Sequence, residues 1–523
     1  MELNAVNGLD PPIYTTVEPK RPSFPMWIYC YTIVASFMPF TYGYNSGIIA
    51  AAVLYIPEID ALSLSGIISI MLFGGLLGCF MGGWMADSLG RRPVMLMNYA
   101  FAGLGAIGSA VSGQSWNLVL WRFVLGFGMG IASVVPSLYI TEISPSDIRI
   151  NLINANQVSG PTGIVFSYII ALILIQTRLS SNIWRWMFGS GILLSIVGVI
   201  ITGLILPESP RWLLNNQREV EARISMERIY GMFHVDIMQR EYRALCDEKN
   251  FQKIENTKWI DLGRRKNIKS ILIISLLPVF QQLSGNGIFI YYTPLLFMML
   301  NISAYEAVLY TIIVSLPQLF ILLGTSLLWD KIGRKLLLLV SLVVSFISLL
   351  LLGIAFWMEQ TNKIPLPHNL IPKSSTFIFV LVALLLARCG FAIGLGPITQ
   401  ILTPELLPIS IRARGLSISL GVYWGTGLIF TAVFPTLMQV IPAASIFWFL
   451  SAVMILGFIF VLLTVKEKKS ESMNDIEFLH QLPILSPGAS NRELLPKDSL
   501  VAQLRPVIIP LPPPSPILPL CHI

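Results

Sequence analysis

Glu142-Ile-Ser-Pro-Ser-Asp-Ile-Arg149 returns later in the chain as Glu405-Leu-Leu-Pro-Ile-Ser-Ile-Arg412. The shared pattern E-x-x-P-x-x-I-R follows a long apolar run each time, and a second pair behaves alike: Asp87-Ser-Leu-Gly-Arg-Arg92 and Asp330-Lys-Ile-Gly-Arg-Lys335. Two motif pairs at matching places imply a duplicated unit. Working outward from them, apolar runs near the roughly 20 residues a helix needs to cross hydrocarbon occur around 27–50, 63–86, 94–113, 116–140, 153–176 and 184–206. Six more follow around 270–298, 306–329, 336–357, 375–398, 415–438 and 443–465. The expected fold class is an all-α membrane protein with twelve transmembrane helices in two six-helix repeats. Duplicated bundles of this kind rock about a site near the bilayer midplane.

The bulk composition agrees. Of 523 residues, 54% are hydrophobic and only 12% charged, with a mean hydropathy of +0.72; a soluble domain carries about 25% charged residues. That shortage excludes a soluble enzyme or nucleic-acid binder despite the net charge of +7. A transmembrane barrel needs alternating strands of about ten residues, and none is visible. The five cysteines fall in apolar spans or in segments placed in the cytosol, so no disulfide framework is implied.

The chain divides into an N-terminal tail (1–26), a six-helix half (27–206), a charged helical linker (207–269), a second six-helix half (270–465) and a proline-rich tail (466–523). Basic residues are retained on the cytoplasmic side in short loops. Placing both termini in the cytoplasm puts most of the 35 Lys and Arg there. The tail ends in LRPVIIPLPPPSPILPLCHI, which favours polyproline II and cannot build a core. It is either a loose end or a docking segment for a cytosolic partner.

Further motifs narrow the class. Arg122-Phe-Val-Leu-Gly-Phe-Gly-Met-Gly130, Pro207-Glu-Ser-Pro-Arg-Trp-Leu213, Gln281-Gln-Leu-Ser-Gly285 and Gly394-Leu-Gly-Pro397 join the two Gly-Arg loops. Together they resemble the sugar porter family of the major facilitator superfamily, from about Thr41 to Val465. The resemblance implies the major facilitator fold and movement of hexoses, pentoses or polyols by alternating access, with no cofactor, no metal and no enzymatic step. A plasma-membrane location is expected, with a vacuolar or other internal membrane as the alternative.

It also implies roles for single residues. Asp87, Arg91, Glu142 and Arg149 of one half, and Asp330, Arg334, Glu405 and Arg412 of the other, would pair across the interface to hold the inner gate. At a hydrated rim each such pair is expected to contribute about 1 kcal/mol or less. Gln157, Gln281, Gln282 and Trp424 stand where the family binds sugar; amides exchange hydrogen bonds with hydroxyls without charge, and an indole packs on a sugar ring. Gln318 stands where hexose facilitators carry asparagine. Asn286 follows Gly285 directly, so Gly287 takes the asparagine position. Gln400 replaces a tryptophan, Ala392 a glutamate and Tyr423 an asparagine. Tyr291 and Tyr292 are expected to form the outer gate.

A proton symporter needs a titratable group inside the membrane. None of the 28 Asp and Glu falls in the interior of an expected span, nor does any of the four histidines. Asn45, in Tyr42-Gly-Tyr-Asn-Ser-Gly47, stands where proton-coupled relatives carry aspartate, while Arg122, that aspartate's partner, is kept. The expectation is facilitative hexose transport. Polyol, inositol or quinate carriage and proton symport are the alternatives within transport; a transporter-like nutrient sensor is the alternative outside it. Arg388, within ALLLARCGFAIG, either faces the cavity and contacts substrate or is paired locally.

Overall fold

The computed structural model describes residues 25–57, 60–113, 115–145, 147–177, 182–231, 234–252, 265–326, 328, 332–362, 373–407 and 412–465. Residues 1–24 and 466–523 of the terminal tails, and 232–233 and 253–264 of the linker, therefore lie outside the described residues. No strand occurs among those described. Eleven helices are long and apolar enough to cross a membrane: Leu62–Leu89, Arg91–Val111, Trp116–Ile143, Arg149–Thr177, Ile183–Ile205, Asn267–Tyr291, Ala304–Ser326, Arg334–Gln360, Thr376–Thr403, Arg414–Val440 and Ala443–Thr464. Met26–Ala52 precedes them as a 27-residue helix and completes the twelve. Its lower hydropathy has a physical cause. It is buried along most of its length, with Thr32, Ser36, Thr41, Asn45 and Ser46 turned into protein rather than lipid. We number these helices as the first to twelfth spans.

The duplication is visible in the packing. In the first half the first span packs on the fifth, the second on the fourth and the third on the sixth; in the second half the seventh packs on the eleventh, the eighth on the tenth and the ninth on the twelfth. The halves meet where the second span lies along the eleventh and the fifth along the eighth, contacts that exchange under the same repeat. Glycine explains the closest approaches. A Cβ on Gly126 would stand 2.0 Å from Met71 O, and one on Gly78 2.1 Å from Phe127 O. The glycines after Arg122 therefore let the second and fourth spans touch backbone to backbone, as small residues do in membranes.

The linker contributes three helices, Pro210–Asn215, Glu219–Tyr230 and Val235–Gln252. They lie at the end of the bundle that holds the loops after the second and fourth spans, here termed the linker side. Tyr230 donates to Ile143 O at 3.4 Å and Tyr31 to Arg228 O at 3.3 Å, tying the linker to the fourth and first spans. All four described cysteines are free thiols.

Candidate substrate site

Two spans that face the interface between the halves are not continuous α-helices. The seventh stops at Leu283, turns through Gly285 at φ +88° and resumes at Asn286. Only glycine adopts that φ without strain. The tenth runs regularly to Gly390, is π-helical over Phe391–Leu395 and restarts at Pro397. Such interruptions free backbone carbonyls and mark sites in rocking transporters. Gln281 joins the two breaks, donating from Nε2 to Gly396 O at 3.1 Å.

Gln281, Gln282 and Asn286 flank the break in the seventh span, and Gln318 lies in the eighth span. Gln281, Gln282, Asn286 and Gln318 are all buried, and Gln282 interacts with the Tyr423 phenol. Trp424 is 2% exposed, its indole N–H finding no acceptor among the described residues. Its ring stands edge-on to Tyr42 at 6.1 Å and to Tyr423 at 5.9 Å, against the backbone of Gly75. A buried indole without a partner is an open donor beside an aromatic wall. Gln157 and Gln400 meet toward the linker side, Nε2 donating to Oε1 at 2.6 Å between the halves.

On the side away from the linker the halves are joined by neutral groups. Tyr168 donates to Ile290 O at 2.9 Å and Gln176 to the Tyr305 hydroxyl at 2.8 Å. The two gate tyrosines divide their contacts. Tyr291 interacts with Ser46 of the opposite half, whereas Tyr292 donates to Thr431 O at 3.0 Å within its own half and packs on Phe434.

Among the described residues, the charged motifs of the first half make their contacts within that half. Arg91 binds Glu142 in a fork, Nε to Oε2 at 2.8 Å and Nη2 to Oε1 at 2.7 Å, and also reaches Asp87 at 3.1 Å. All three belong to one half. Among the described residues no ion pair crosses between the halves; Asp330 and the side chains of Glu405 and Arg412 lie outside them. Arg334 opens the ninth span, and Arg149 donates to Ser144 O at 3.1 Å in its own loop. Nor are the charges hydrated, since the side chains of Arg91 and Glu142 are 6% and 2% exposed.

The Pro-Glu-Ser-Pro-Arg-Trp-Leu segment accounts for that burial. Ser209 donates to Glu142 Oε2 at 2.6 Å and accepts from Trp212 N as the cap of the short helix that Pro210 begins. Glu208 accepts from the backbone amides of Arg91 and Arg92 at 2.9 and 3.2 Å, capping the third span. Trp212 Nε1 donates to Asp87 O at 2.8 Å. Between the second and third spans Gly90 turns at φ +102°, and a Cβ there would meet Glu208 Oε2 at 2.6 Å. Burial pushes the Glu208 carboxyl above its ordinary value, against the pull of the Ser209, Arg91 and Arg92 amides.

Asn45 and Arg122 are placed apart in their bonding. Asn45 donates to Thr41 O of its own helix at 2.9 Å. Arg122 is 1% exposed and lies 3.7 Å above the Phe188 ring, with no hydrogen-bond partner for Nε or Nη1 among the described residues. A cation over an aromatic face is partly compensated. Two contributors escaped the sequence reasoning. Glu208 stood in a quoted motif without a role, and Tyr168 gave no signal within an apolar run.

Broken spans facing an interface between six-helix repeats, with buried amides and an aromatic wall, are the geometry of a carrier. The profile of the family described as "Sugar (and other) transporter" matches residues 31–479. The chain is a sugar porter of the major facilitator superfamily. It is similar to the arabinose-proton symporter of Bacillus subtilis, 29% identical over 84% of this chain and 92% of that one. The galactose-proton symporter of Escherichia coli is 28% identical, covering 83% of this sugar porter and 90% of its own length. Among solved structures, the proton:xylose symporter XylE bound to 6-bromo-6-deoxy-D-glucose superimposes with a TM-score of 0.71, covering 87% of this chain and 99% of that one at 24% identity. The partially occluded inward-open form of XylE from E. coli gives 0.68 at 22% identity, covering 84% and 100%. These structures bear on the fold alone.

Proposed function

We propose that this sugar porter carries a neutral hexose such as glucose down its gradient, by alternating access, across the plasma membrane with both termini in the cytoplasm. One observation supports uniport above others. Asp87, Glu142, Glu306 and Glu359 are the carboxylates within the bounds of described spans, and all lie in terminal turns. With Asn45 neutral in the first span, no carboxyl stands at mid-depth to take up a proton with the sugar. The buried glutamines and Trp424 suit an uncharged polyhydroxylated substrate. In this mechanism Gln157, Gln281, Gln282, Asn286, Gln318, Gln400 and Trp424 hold the sugar, Tyr291 and Tyr292 close over it, and the linker-side charges stabilise the inner end.

Proton symport is the second reading, favoured by the proton-coupled relatives named above. Purified protein in proteoliposomes separates the two. Uniport gives counterflow of labelled glucose with no dependence on a pH gradient and no alkalinisation of the medium on adding sugar. Sugar-evoked alkalinisation would refute uniport, and absence of hexose counterflow would refute the substrate.

A further inference from the structure

Arg388 lies near the middle of the tenth span, Thr376–Thr403, three residues before the π-helical segment. It is 2% exposed. Its Nη1 donates to Asn286 Oδ1 at a long 3.4 Å, while Nε has no acceptor among the described residues. Asn286 stands just beyond the break in the seventh span, and the Tyr168 phenol of the opposite half lies within electrostatic reach. Tyr168 in turn donates to Ile290 O. Arg388 therefore sits where the seventh and tenth spans and the opposing fifth span converge.

Every group interacting with this guanidinium among the described residues, namely Asn286, Tyr168 and Cys389, is neutral at physiological pH. A buried charge is ordinarily paired, and here no carboxylate among the described residues serves. Arg122 has Phe188 beneath it; Arg388 has no such ring among the described residues. A planar guanidinium with a free Nε edge matches a carboxylate, which it binds in a fork of charge-assisted bonds. Asn286 holds the other edge and leaves that orientation defined.

We propose that Arg388 is a specificity-determining residue that pairs with the carboxylate of a hexuronate, so that the carrier takes acidic monosaccharides at the site where it takes neutral ones. This rests on the substrate site proposed above and extends it to a charged class. Hexuronate uptake by uniport then carries one negative charge inward, whereas neutral hexose uptake carries none.

The test uses the full chain in proteoliposomes, with glucuronate and galacturonate competing against labelled glucose, and with a potassium–valinomycin potential imposed. Wild-type protein is expected to be inhibited by hexuronates, and labelled hexuronate uptake to rise when the interior is made positive while glucose uptake does not. Arg388→Gln should weaken hexuronate competition about 10- to 100-fold relative to neutral competitors, the loss expected for charge-assisted bonds. Arg388→Lys, which keeps the charge without the fork, should recover part of it. If Arg388→Gln is poorly folded, the same ratio is read from Arg388→Lys against wild type. An unchanged ratio in both variants, or hexuronates that neither compete nor thermally stabilise the wild-type protein, overturns the assignment. Wild-type protein that binds hexuronate but no neutral hexose refutes the hexose reading and upholds Arg388; binding of neutral hexose alone does the reverse.

Discussion

Neutralising Glu142 is the sharpest test of how the charged motifs work. Its carboxylate is nearly inaccessible and receives the Arg91 fork and the Ser209 hydroxyl. Glu142→Gln leaves the Arg91 guanidinium buried without its main counter-charge. Removing one partner of a buried pair costs about 3–5 kcal/mol, several times the value of an exposed pair. Two features place the loss at the low end. Arg91 keeps Ala86 O at 2.8 Å, and Asp87 remains 3.1 Å away with a side chain 74% exposed. A loss of about 3 kcal/mol in a helical half of this size lowers the thermal midpoint by about 6–12 °C. Because Arg91, Glu142 and Ser209 all belong to one half and its attached linker, the effect falls on the integrity of that half.

The assay is thermal unfolding of purified protein in detergent, read by tryptophan fluorescence, with Ser209→Ala as the second arm of a double-mutant cycle. The variants should couple by at least about 0.5 kcal/mol, as groups in one network do. A midpoint unchanged in Glu142→Gln would refute the reasoning. So would a Glu142→Gln protein of wild-type stability whose far side has merely become inaccessible to impermeant reagents, since that is the behaviour of a pair acting between the halves.

Three other outcomes follow from the same structure. Glu208 titrates above its ordinary 4.5 because of burial, so the folded state binds its proton more readily than the unfolded state; its contribution to stability is largest below 4.5 and declines as pH rises through the raised value. Glu208→Gln should flatten that decline in thermal midpoints measured across the acid range. Gly126→Val places carbon against Met71 O, where even a Cβ stands at 2.0 Å, and should abolish a monodisperse peak in size-exclusion chromatography, whereas Gly425→Ala, with open space around its Cβ, should not. Trp424→Ala removes the wall beside Tyr42 and Tyr423 and should weaken sugar binding about tenfold, from a loss of roughly 1.4 kcal/mol, in equilibrium fluorescence or thermal-shift titrations.

The twelve spans and their duplication were readable because lipid imposes one rule on every span: it must be helical and mostly apolar over a fixed length. Gly285 and Pro397 likewise announce the breaks, since a left-handed turn and a missing N–H have local causes. Partners were harder to read. Arg91 and Glu142 were recognised as charged rim residues, but that they face each other under the cover of Ser209 depends on how the linker folds back. The burial reverses the expected energy scale, from a hydrated pair to one shielded from water. Tyr168 had no signature at all, because a single phenol in Phe-Ser-Tyr-Ile-Ile is chemically ordinary until the seventh span brings Ile290 O to it.

The distribution of strong and weak contacts bears directly on alternating access. Within the first half, charge is joined to charge in a water-poor setting: Arg91 to Glu142, with Glu208 on the third-span amides. Between the halves, the described hydrogen bonds are neutral: Gln157 to Gln400 on one side, Tyr168 to Ile290 O and Gln176 to Tyr305 on the other. Each neutral bond contributes a net of about 0.5–1.5 kcal/mol, and less where water competes, as it does at the two exposed glutamine contacts. Two rigid bodies must exchange one set of interface contacts for another during each cycle, and the populations of the two states stay comparable only if the sets differ by a few kcal/mol. Among the described residues, neutral bonds between the halves and a buried ion pair within one of them give stiffness to the body that must move as a unit and leave these interface contacts free to exchange.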